Sequence, residues 1–327
     1  MLYDVIIVGG GPAGAAAAIY TARKRLKTLL LTEDFGGQSI VSDDIQNWIG
    51  DKHISGFDLA KKLEEHVRAF SDVVDIKMPE KAVKVRSIKC VENGSRRDLP
   101  MLGKRVCDFE VSTDKGNTYS SRTLILAAGA RRRKLGIPGE EKLNGKGVAY
   151  CSTCDAPLFS GKTVAVAGGG NAGLEAVIDL FPYAEKIYLL EYGEALKGDP
   201  VTQEEIKKNP KVEIILNVQS KEILGENFVT GVKYLDRKTN EEKELKLEGI
   251  FVEIGSIPNS EMVKDLVELD KYGQVKIDSK HAFTSHPGIF AAGDITDDPY
   301  KQNNISVGDA VKAALAAYNY LLQREKV

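Results

Sequence analysis

The fold is decided by the stretch from Tyr3 to Asp34, YDVIIVGGGPAGAAAAIYTARKRLKTLLLTED. It contains an apolar run, a glycine-rich turn, an alanine-rich run, a second apolar run and an acidic end. Continuous apolar runs of this kind are typical of parallel strands that are covered on both faces. The stretch therefore predicts a β-strand, a tight turn, an α-helix and a second β-strand.

A second stretch, from Lys162 to Gly193, repeats this plan as KTVAVAGGGNAGLEAVIDLFPYAEKIYLLEYG. Both turns have the spacing Gly-x-Gly-x-x-Gly, with Gly9, Gly11 and Gly14 in the first and Gly168, Gly170 and Gly173 in the second. Glycine at these positions allows a tight turn, close approach of the backbone to a pyrophosphate and close helix–strand packing. The repeated pattern predicts an α/β protein with two Rossmann-like dinucleotide-binding units.

An acidic residue closes each unit, Glu33 in the first and Glu191 in the second. A carboxylate at this point accepts hydrogen bonds from ribose hydroxyls, and it repels a 2′-phosphate. No arginine or histidine follows Glu191 closely in LLEYGEALK, so the second unit is predicted to prefer NADH over NADPH. The alternative is that Glu191 points to solvent and that Lys197 binds a phosphate.

Two cysteines and an aspartate lie just before the second unit, as Cys151-Ser-Thr-Cys154-Asp155. A zinc site needs further ligands at a suitable spacing, and neither Cys90 and Cys107 nor the four histidines provide them. We therefore expect no metal, and we interpret Cys90 and Cys107 as small apolar fillers. The Cys151–Cys154 pair is predicted to be a reducible dithiol, with Asp155 moving protons to and from a thiolate.

Composition narrows the class of protein and its location. The 327 residues carry a net charge of −2 with interspersed signs, which argues against a nucleic-acid partner. No apolar run is long enough to span a bilayer, so no membrane association is expected. The N-terminal run lacks the positive segment of a signal peptide. We therefore expect a reducing compartment, the cytoplasm.

The remaining segments indicate further layers around these two units. Alternating residues with turn signals from Val83 to Tyr119 predict an antiparallel layer. Buried strands are predicted in RTLILAAGA (Arg122 to Ala130), in LEGIFVEIGSIPNS (Leu247 to Ser260) and in HPGIFAAGDITDDPYKQ (His286 to Gln302). The tail SVGDAVKAALAAYNYLLQ predicts an amphipathic helix.

Over essentially the whole chain, these motifs resemble the low-molecular-weight thioredoxin reductase family and its relative, the flavoprotein subunit of alkyl hydroperoxide reductase. The resemblance rests on GGGPAG, FGGQ, DIQNWIG, YCSTCDAPLF, GGGNAG, GIFAAGD and YKQ. It implies a three-layer ββα FAD-binding domain, discontinuous over 1–131 and 256–327. An NAD(P)-binding domain over 132–255 is inserted into it and carries the two cysteines. Hinges are expected near Arg131–Arg133 and near Gly255–Pro258.

The resemblance also implies site residues. The FAD site would comprise Gly9, Gly11, Pro12, Ala13, Gly14, Glu33, Gly37, Gln38, Asn47, Ala128, Gly129, Gly293, Asp294, Lys301, Gln302 and Asn303. The nicotinamide site would comprise Gly168, Gly170, Asn171, Ala172, Gly173, Glu191 and Gly255. Electrons would pass from NAD(P)H through FAD to the cysteine pair and on to a thioredoxin- or glutaredoxin-like protein. Cys154 would face the flavin and Cys151 would attack the partner's disulfide. The family also implies a homodimer.

Some residues depart from the thioredoxin reductase pattern. The NADPH-type HRR motif is missing, and LLEYGEALK, GGGNAG and PYKQ look more like the alkyl hydroperoxide reductase flavoprotein, which favours NADH. That protein has an extra N-terminal thioredoxin-like module, whereas this chain begins at the FAD strand, so we expect the carrier to be a separate protein. Ala128 stands where the family often has threonine, and we expect it to alter a local hydrogen bond without changing cofactor choice.

Several functions remain open beside protein disulfide reduction. The same scaffold could take electrons from a non-nicotinamide donor such as ferredoxin, although the intact second glycine turn argues against this. It could serve a peroxiredoxin system as a stand-alone reductase, or act as an NADH oxidase. A protein of another class, an FAD-bound redox sensor without turnover, is the remaining alternative.

Overall fold

The computed structural model describes residues 1–42, 44–92 and 105–324. The α-helices in these ranges are α1 (Pro12–Arg23), α2 (Gly56–Arg68), α3 (Ser152–Asp155), α4 (Asn171–Leu180), α5 (Pro200–Lys208) and α6 (Asn303–Arg324). No helix of the described ranges is long and apolar enough to cross a membrane. Helix α6 confirms the helix predicted in the tail and begins a few residues earlier.

The largest sheet contains the first βαβ unit. Its strands are β1 (Leu2–Val8), β2 (Thr28–Leu31), β3 (Val74–Lys77), β4 (Ala82–Glu92), β5 (Arg105–Thr113), β6 (Thr118–Leu126) and β17 (Ile289–Ala291). Their order is β3-β2-β1-β6-β5-β4, and β17 also pairs with β6. Strand β1 is parallel to β2 and β6, while β4, β5 and β6 are antiparallel neighbours.

The antiparallel strands confirm the layer predicted between Val83 and Tyr119 where they are described. Residues 93–104 of that layer lie outside the described ranges, as do residues 325–327 of the segment assigned to the FAD domain. Helix α1 packs against α6 on one face of the sheet, and its buried alanines allow close approach of the two helices.

The second βαβ unit lies in a separate, fully parallel sheet. Its strands are β8 (Val148–Ala149), β9 (Thr163–Ala167), β10 (Lys186–Glu191), β11 (Val212–Leu216) and β15 (Gly249–Val252), in the order β11-β10-β9-β15-β8. An antiparallel sheet of β12 (Val218–Leu224), β13 (Gly231–Asp236) and β14 (Glu241–Lys246) packs beside it. Two parallel βαβ sheets confirm the predicted α/β class with two Rossmann-like units.

A short two-stranded ladder lies where the chain passes between the two units. Strands β7 (Ala130–Arg132) and β16 (Ser256–Pro258) are antiparallel, with Arg132 opposite Ser256 and Ala130 opposite Pro258. The Arg133 amide extends the ladder by donating to the Gly255 carbonyl at 3.0 Å. Both predicted hinges therefore fall on adjacent, hydrogen-bonded strands.

The buried apolar clusters divide along the same line. Two clusters draw all their residues from positions 135–254, and three others draw theirs from positions 3–127 and 262–321. A segment with its own core can fold as a unit. The division supports the boundaries at 131/132 and 255/256, which remain a prediction.

One expectation about the cysteines is wrong. Cys90 and Cys107 are joined in a disulfide and are not separate apolar fillers. A bulge explains how they meet: Ile88 pairs with Asp108 and Val91 with Val106, so that two β4 residues lie opposite Cys107 alone. Periodicity cannot reveal such an offset, because it assumes regular register.

The disulfide gives the first testable prediction. Cys90 and Cys107 are 17 positions apart, so their cross-link restricts the unfolded chain and contributes about 3 kcal/mol to the free energy of unfolding. Cys90→Ser combined with Cys107→Ser should lose that stability in urea denaturation of the oxidised protein. The control is Cys151→Ser with Cys154→Ser, which opens a loop of only three positions.

Peptide mapping without reductant checks the assignment itself. We expect a linked pair of peptides that contain Cys90 and Cys107 and no alkylation of either sulfur. Full alkylation of both in unreduced protein would contradict the disulfide.

Candidate active site

The first glycine turn joins β1 to α1 and has the geometry of a phosphate-binding loop. Gly9 has a φ of +112°, a conformation that side chains with a Cβ rarely adopt. A Cβ on Gly14 would lie 1.7 Å from the Gly9 carbonyl oxygen, so only glycine allows the helix to start this close to the strand. Helix α1 begins after Gly11 without a side-chain cap, which leaves its first N–H groups available to a phosphate.

The second glycine turn repeats this geometry between β9 and α4. Gly168 has a φ of +123°, and a Cβ on Gly173 would again lie 1.7 Å from the carbonyl oxygen of the first glycine. The middle glycine, Gly170, faces open space, with nothing within 4 Å of an added Cβ. Helix α4 likewise has no side-chain cap. Both turns therefore fit a dinucleotide whose pyrophosphate lies over the middle glycine.

The FAD residues predicted from distant segments come together around one cavity. Its lining includes Gln38, Asn47, Asp294, Lys301, Gln302 and Asn303. The Asn47 amide donates to Gln302 Oε1 at 3.2 Å, and the Ser39 hydroxyl donates to Asn303 Oδ1 at 3.0 Å. These bonds hold the segment after β2 against the start of α6. The cavity thus has polar groups on two sides, as a flavin ring with several hydrogen-bonding atoms requires.

Two buried charged groups face the same cavity. Burial raises the pKa of Asp294, and the Lys301 ammonium and the Arg132 guanidinium oppose this shift. Burial lowers the pKa of Lys301, which donates to the Thr296 carbonyl at 2.6 Å. Gly293, which precedes Asp294, lies against the start of α1, since an added Cβ would be 3.2 Å from Ala13 Cβ.

The cysteine pair lines this same cavity. Cys151 and Cys154 form a disulfide, and both line the cavity together with Asp155. Cys151 is the N-cap residue of α3, whose first turn is held by Asp179. The Asp179 carboxylate accepts from the Ser152 hydroxyl at 2.7 Å and from the Thr153 hydroxyl at 3.2 Å. The disulfide therefore faces the proposed flavin site in a fixed turn.

The two acidic residues that close the βαβ units have different surroundings. Glu191 is only 6% exposed, and its carboxylate accepts from the amides of Gly169 and Gly193, both at 2.7 Å. The alternative that it points to solvent is therefore wrong. The Glu33 carboxylate is exposed and pairs with Lys81 at 3.0 Å. Its contact with a ribose remains a prediction.

The other predicted residues lie at the same strand ends. Ala128 and Gly129 follow β6, and Gly255 precedes β16. The Ala128 carbonyl accepts from the Asn259 side chain at 2.7 Å. Asn171 has a role that its motif did not indicate, because its side-chain oxygen accepts from the Asp199 amide at 2.8 Å. Strand ends at one edge of a parallel sheet are where such folds bind nucleotides.

Four charged residues near these sites could not be singled out from the sequence. Arg132, Asp179 and Glu253 surround the cysteine turn, and Arg237 stacks 3.9 Å over the Tyr192 ring, just after Glu191. Glu253 carried a signal, since it is an acidic residue in the apolar run GIFVEIG. The others follow ordinary helix and strand patterns and carried none.

Comparison with known proteins agrees with this geometry. The profile of the family described as pyridine nucleotide-disulphide oxidoreductase matches residues 3–316. A Bacillus subtilis protein named NADH dehydrogenase is 44% identical over 321 residues, which cover 98% of this chain and 59% of that protein. An alkyl hydroperoxide reductase subunit of Pseudomonas putida is 44% identical over 323 residues, covering 98% and 58%. The chain thus spans less than two thirds of these relatives.

A solved structure covers the chain more fully. Thioredoxin reductase from Streptococcus pyogenes superposes with a TM-score of 0.84 at 33% identity, covering 98% of each chain. This similarity confirms the thioredoxin reductase and alkyl hydroperoxide reductase resemblance. It implies FAD and a nicotinamide nucleotide as cofactors, which the two glycine turns and the polar cavity fit.

The glycine geometry gives a prediction with a built-in control. Gly170→Ala should leave the urea unfolding curve unchanged, because the added Cβ meets nothing in the protein. It should weaken NADH binding about tenfold or more, because the Cβ occupies the space over which a pyrophosphate passes. Gly173→Ala should instead destabilise the protein, because its Cβ meets the Gly168 carbonyl.

Isothermal titration with NADH and urea denaturation separate the two effects. Unchanged NADH affinity in Gly170→Ala would contradict a pyrophosphate over this turn.

Proposed function

Since the chain belongs to the pyridine nucleotide-disulphide oxidoreductase family, we propose that it is an FAD-dependent protein disulfide reductase of the thioredoxin reductase type. Its electrons come from a nicotinamide nucleotide and leave through Cys151 and Cys154. The observation that carries the proposal is the position of this disulfide, which lines the cavity formed by the predicted flavin residues. A structural disulfide would have no need to face that cavity.

The bound FAD would accept a hydride from the nicotinamide and pass two electrons to the Cys151–Cys154 disulfide. Breaking that sulfur–sulfur bond leaves one thiolate and, after uptake of one proton, one thiol. The Cys151 thiolate then attacks a partner disulfide, forming a mixed disulfide and releasing one partner thiolate. Cys154 attacks Cys151 and releases the second partner sulfur, which restores the disulfide. Asp155 holds and transfers protons for the departing sulfurs.

A change in domain arrangement follows from the two glycine turns. The cavity lining includes the cysteine pair, but among the described residues it includes none from the second turn. A nicotinamide held at that turn therefore needs another arrangement to reach the flavin. The β7–β16 ladder supports this proposal, because rotation about two adjacent strands leaves both cores intact.

The preferred nucleotide is NADH. Glu191 places a carboxylate at the second turn, where it is buried and hydrogen-bonded to two amides. A 2′-phosphate beside it would put like charges together away from water. Arg237 is the competing consideration, because its guanidinium stacks on Tyr192 next to this point and could pair with a phosphate.

The partner is a separate thioredoxin- or glutaredoxin-like protein with its own disulfide. The named relatives support a second candidate, a peroxiredoxin system, because one of them is an alkyl hydroperoxide reductase subunit. In both cases the reaction at Cys151 is thiol–disulfide exchange. We place the protein in the cytoplasm as a homodimer by analogy with the family.

Turnover with a partner tests the reaction. NADH should drive reduction of a thioredoxin-like protein without oxygen. Cys151→Ser and Cys154→Ser should each lower that rate at least about 1,000-fold, because exchange needs both sulfurs. Flavin bleaching by NADH should persist in both variants, since the hydride step precedes the cysteines. The control, Cys90→Ser with Cys107→Ser, should keep full turnover.

Other outcomes identify the alternatives. Oxygen consumption that survives loss of Cys151 and Cys154 would point to an NADH oxidase. Bleaching by reduced ferredoxin but not by NADH would indicate another donor. Bleaching without turnover on any thioredoxin-like, glutaredoxin-like or peroxiredoxin partner would favour a sensor.

Nucleotide preference is tested separately by stopped-flow bleaching of the flavin. Wild type should be reduced faster by NADH than by NADPH. Glu191→Gln should narrow that ratio about tenfold, because it removes the charge and keeps the size of the side chain. Arg237→Met should leave the NADH rate unchanged. A wild-type preference for NADPH that Arg237→Met abolishes would overturn the assignment and identify Arg237 as the phosphate ligand.

A further inference from the structure

Glu253 is a buried acidic residue that the proposed reaction leaves without a role. It follows β15 directly and is only 8% exposed. Its backbone lies against the second glycine turn, since a Cβ on Gly168 would be 2.4 Å from the Glu253 carbonyl oxygen. Its side chain reaches the other way, to the cysteine turn. Glu253 therefore lies between the predicted nicotinamide site and the disulfide.

The contact with the cysteine turn is a hydrogen bond from the backbone. The Ser152 amide donates to the Glu253 carboxylate, and Ser152 directly follows Cys151. The charged groups that face Glu253 come from three elements: Arg132 on β7, Asp155 on α3 and Asp179 on α4. One cation and two other carboxylates thus surround a carboxyl group that has left water.

These surroundings bring the ionisation of Glu253 into the neutral range. Burial raises the pKa of Glu253 to about 7, with smaller upward contributions from Asp179 and Asp155. Arg132 and the Ser152 amide oppose the shift. Near pH 7 the group therefore changes charge readily, and any new charge on the neighbouring sulfurs shifts its proton occupancy.

We propose that Glu253 is a positioning residue that binds a proton when the Cys151–Cys154 disulfide is reduced, and that it thereby controls the ionisation of Cys151. This inference rests on the proposed function only in taking that disulfide to be redox-active. Glu253 acts through the Ser152 turn and the local charge. Asp155, which lines the cavity, remains the group that serves the reacting sulfurs.

The charges balance as follows. The disulfide is neutral, and two electrons from the reduced flavin with one proton convert it to one thiol and one thiolate. A thiolate beside an ionised Glu253 puts two negative charges close together, and each then raises the pKa of the other. Near neutral pH, Glu253 takes up a proton from water and the thiolate persists. When Cys151 bonds to the partner sulfur, that charge leaves and Glu253 releases its proton.

The test measures the Cys151 thiol directly and needs no partner protein. In a Cys154→Ser background, the alkylation rate of Cys151 by iodoacetamide is followed from pH 5.5 to 9.5 by mass spectrometry. The same profile is recorded after Glu253→Gln, which keeps an acceptor for the Ser152 amide but cannot ionise. The readout is the ratio of the Gln rate to the Glu rate at each pH.

The expected ratio changes with pH in a defined direction. At pH 5.5 Glu253 is protonated, both proteins are neutral at this position, and the ratio is near 1. Between pH 7 and 8 Glu253 is charged and suppresses the thiolate, so Glu253→Gln reacts up to about tenfold faster, equivalent to one pKa unit. At high pH both thiols are fully ionised and the ratio returns toward 1.

Asp179→Asn is the matched control. It removes the acceptor of two hydroxyl bonds in the same turn but leaves the backbone contact to Glu253. Its ratio to the parent should show no rise centred near neutral pH. A flat ratio for Glu253→Gln would mean that Glu253 is merely structural and would overturn the inference. The partner assay is independent, so either result can fail alone.

Infrared titration of the wild-type protein keeps the inference testable if Glu253→Gln does not fold. A protonated carboxyl band should disappear with a midpoint near pH 7 in the disulfide form. After reduction of Cys151–Cys154 with dithiothreitol, that midpoint should move to higher pH. A midpoint that does not move on reduction would overturn the proposed coupling.

Discussion

The close contact of helix and strand at the two glycine turns is the constraint on which the rest of the structure depends. Gly14 and Gly173 bring α1 and α4 so near their strands that an added Cβ would lie 1.7 Å from a carbonyl oxygen. This contact places the first helical amides over the strand ends. The phosphate sites, the sheet edges and the cavity all lie at positions measured from those two points. A bulkier residue would move the whole edge.

The passage between the two sheets is the second constraint, because it decides what the cysteines can face. Strands β7 and β16 run side by side, so the inserted segment is joined to the rest by one narrow ladder. In the present arrangement the ladder directs α3 toward the flavin cavity. The second glycine turn belongs to the same inserted segment. A single rotation therefore moves the disulfide and the nucleotide site together.

Much of this organisation could be predicted from the sequence, because its signals are local. The turn spacing fixes both βαβ units, and Cys151 and Cys154 are neighbours along the chain. The Cys90–Cys107 disulfide could not be predicted, since it depends on a bulge at Lys89, whose φ is +49°. Arg237 meets Tyr192 only through the packing of β13 beside the parallel sheet. Tertiary contacts of this kind leave no spacing to read.

Arg132 joins the two constraints in electrostatic terms. It lies on β7, and its guanidinium lowers the pKa both of Glu253 in the inserted segment and of Asp294 beside the flavin cavity. A rotation about β7 and β16 changes at least one of these two pairings. A carboxylate that loses the cation in a buried site binds a proton more readily. Rotation, the proton on Glu253 and the charge on Cys151 are then linked through one side chain. The arrangement that brings the disulfide to the flavin is thus also the one in which Arg132 holds both carboxyl groups.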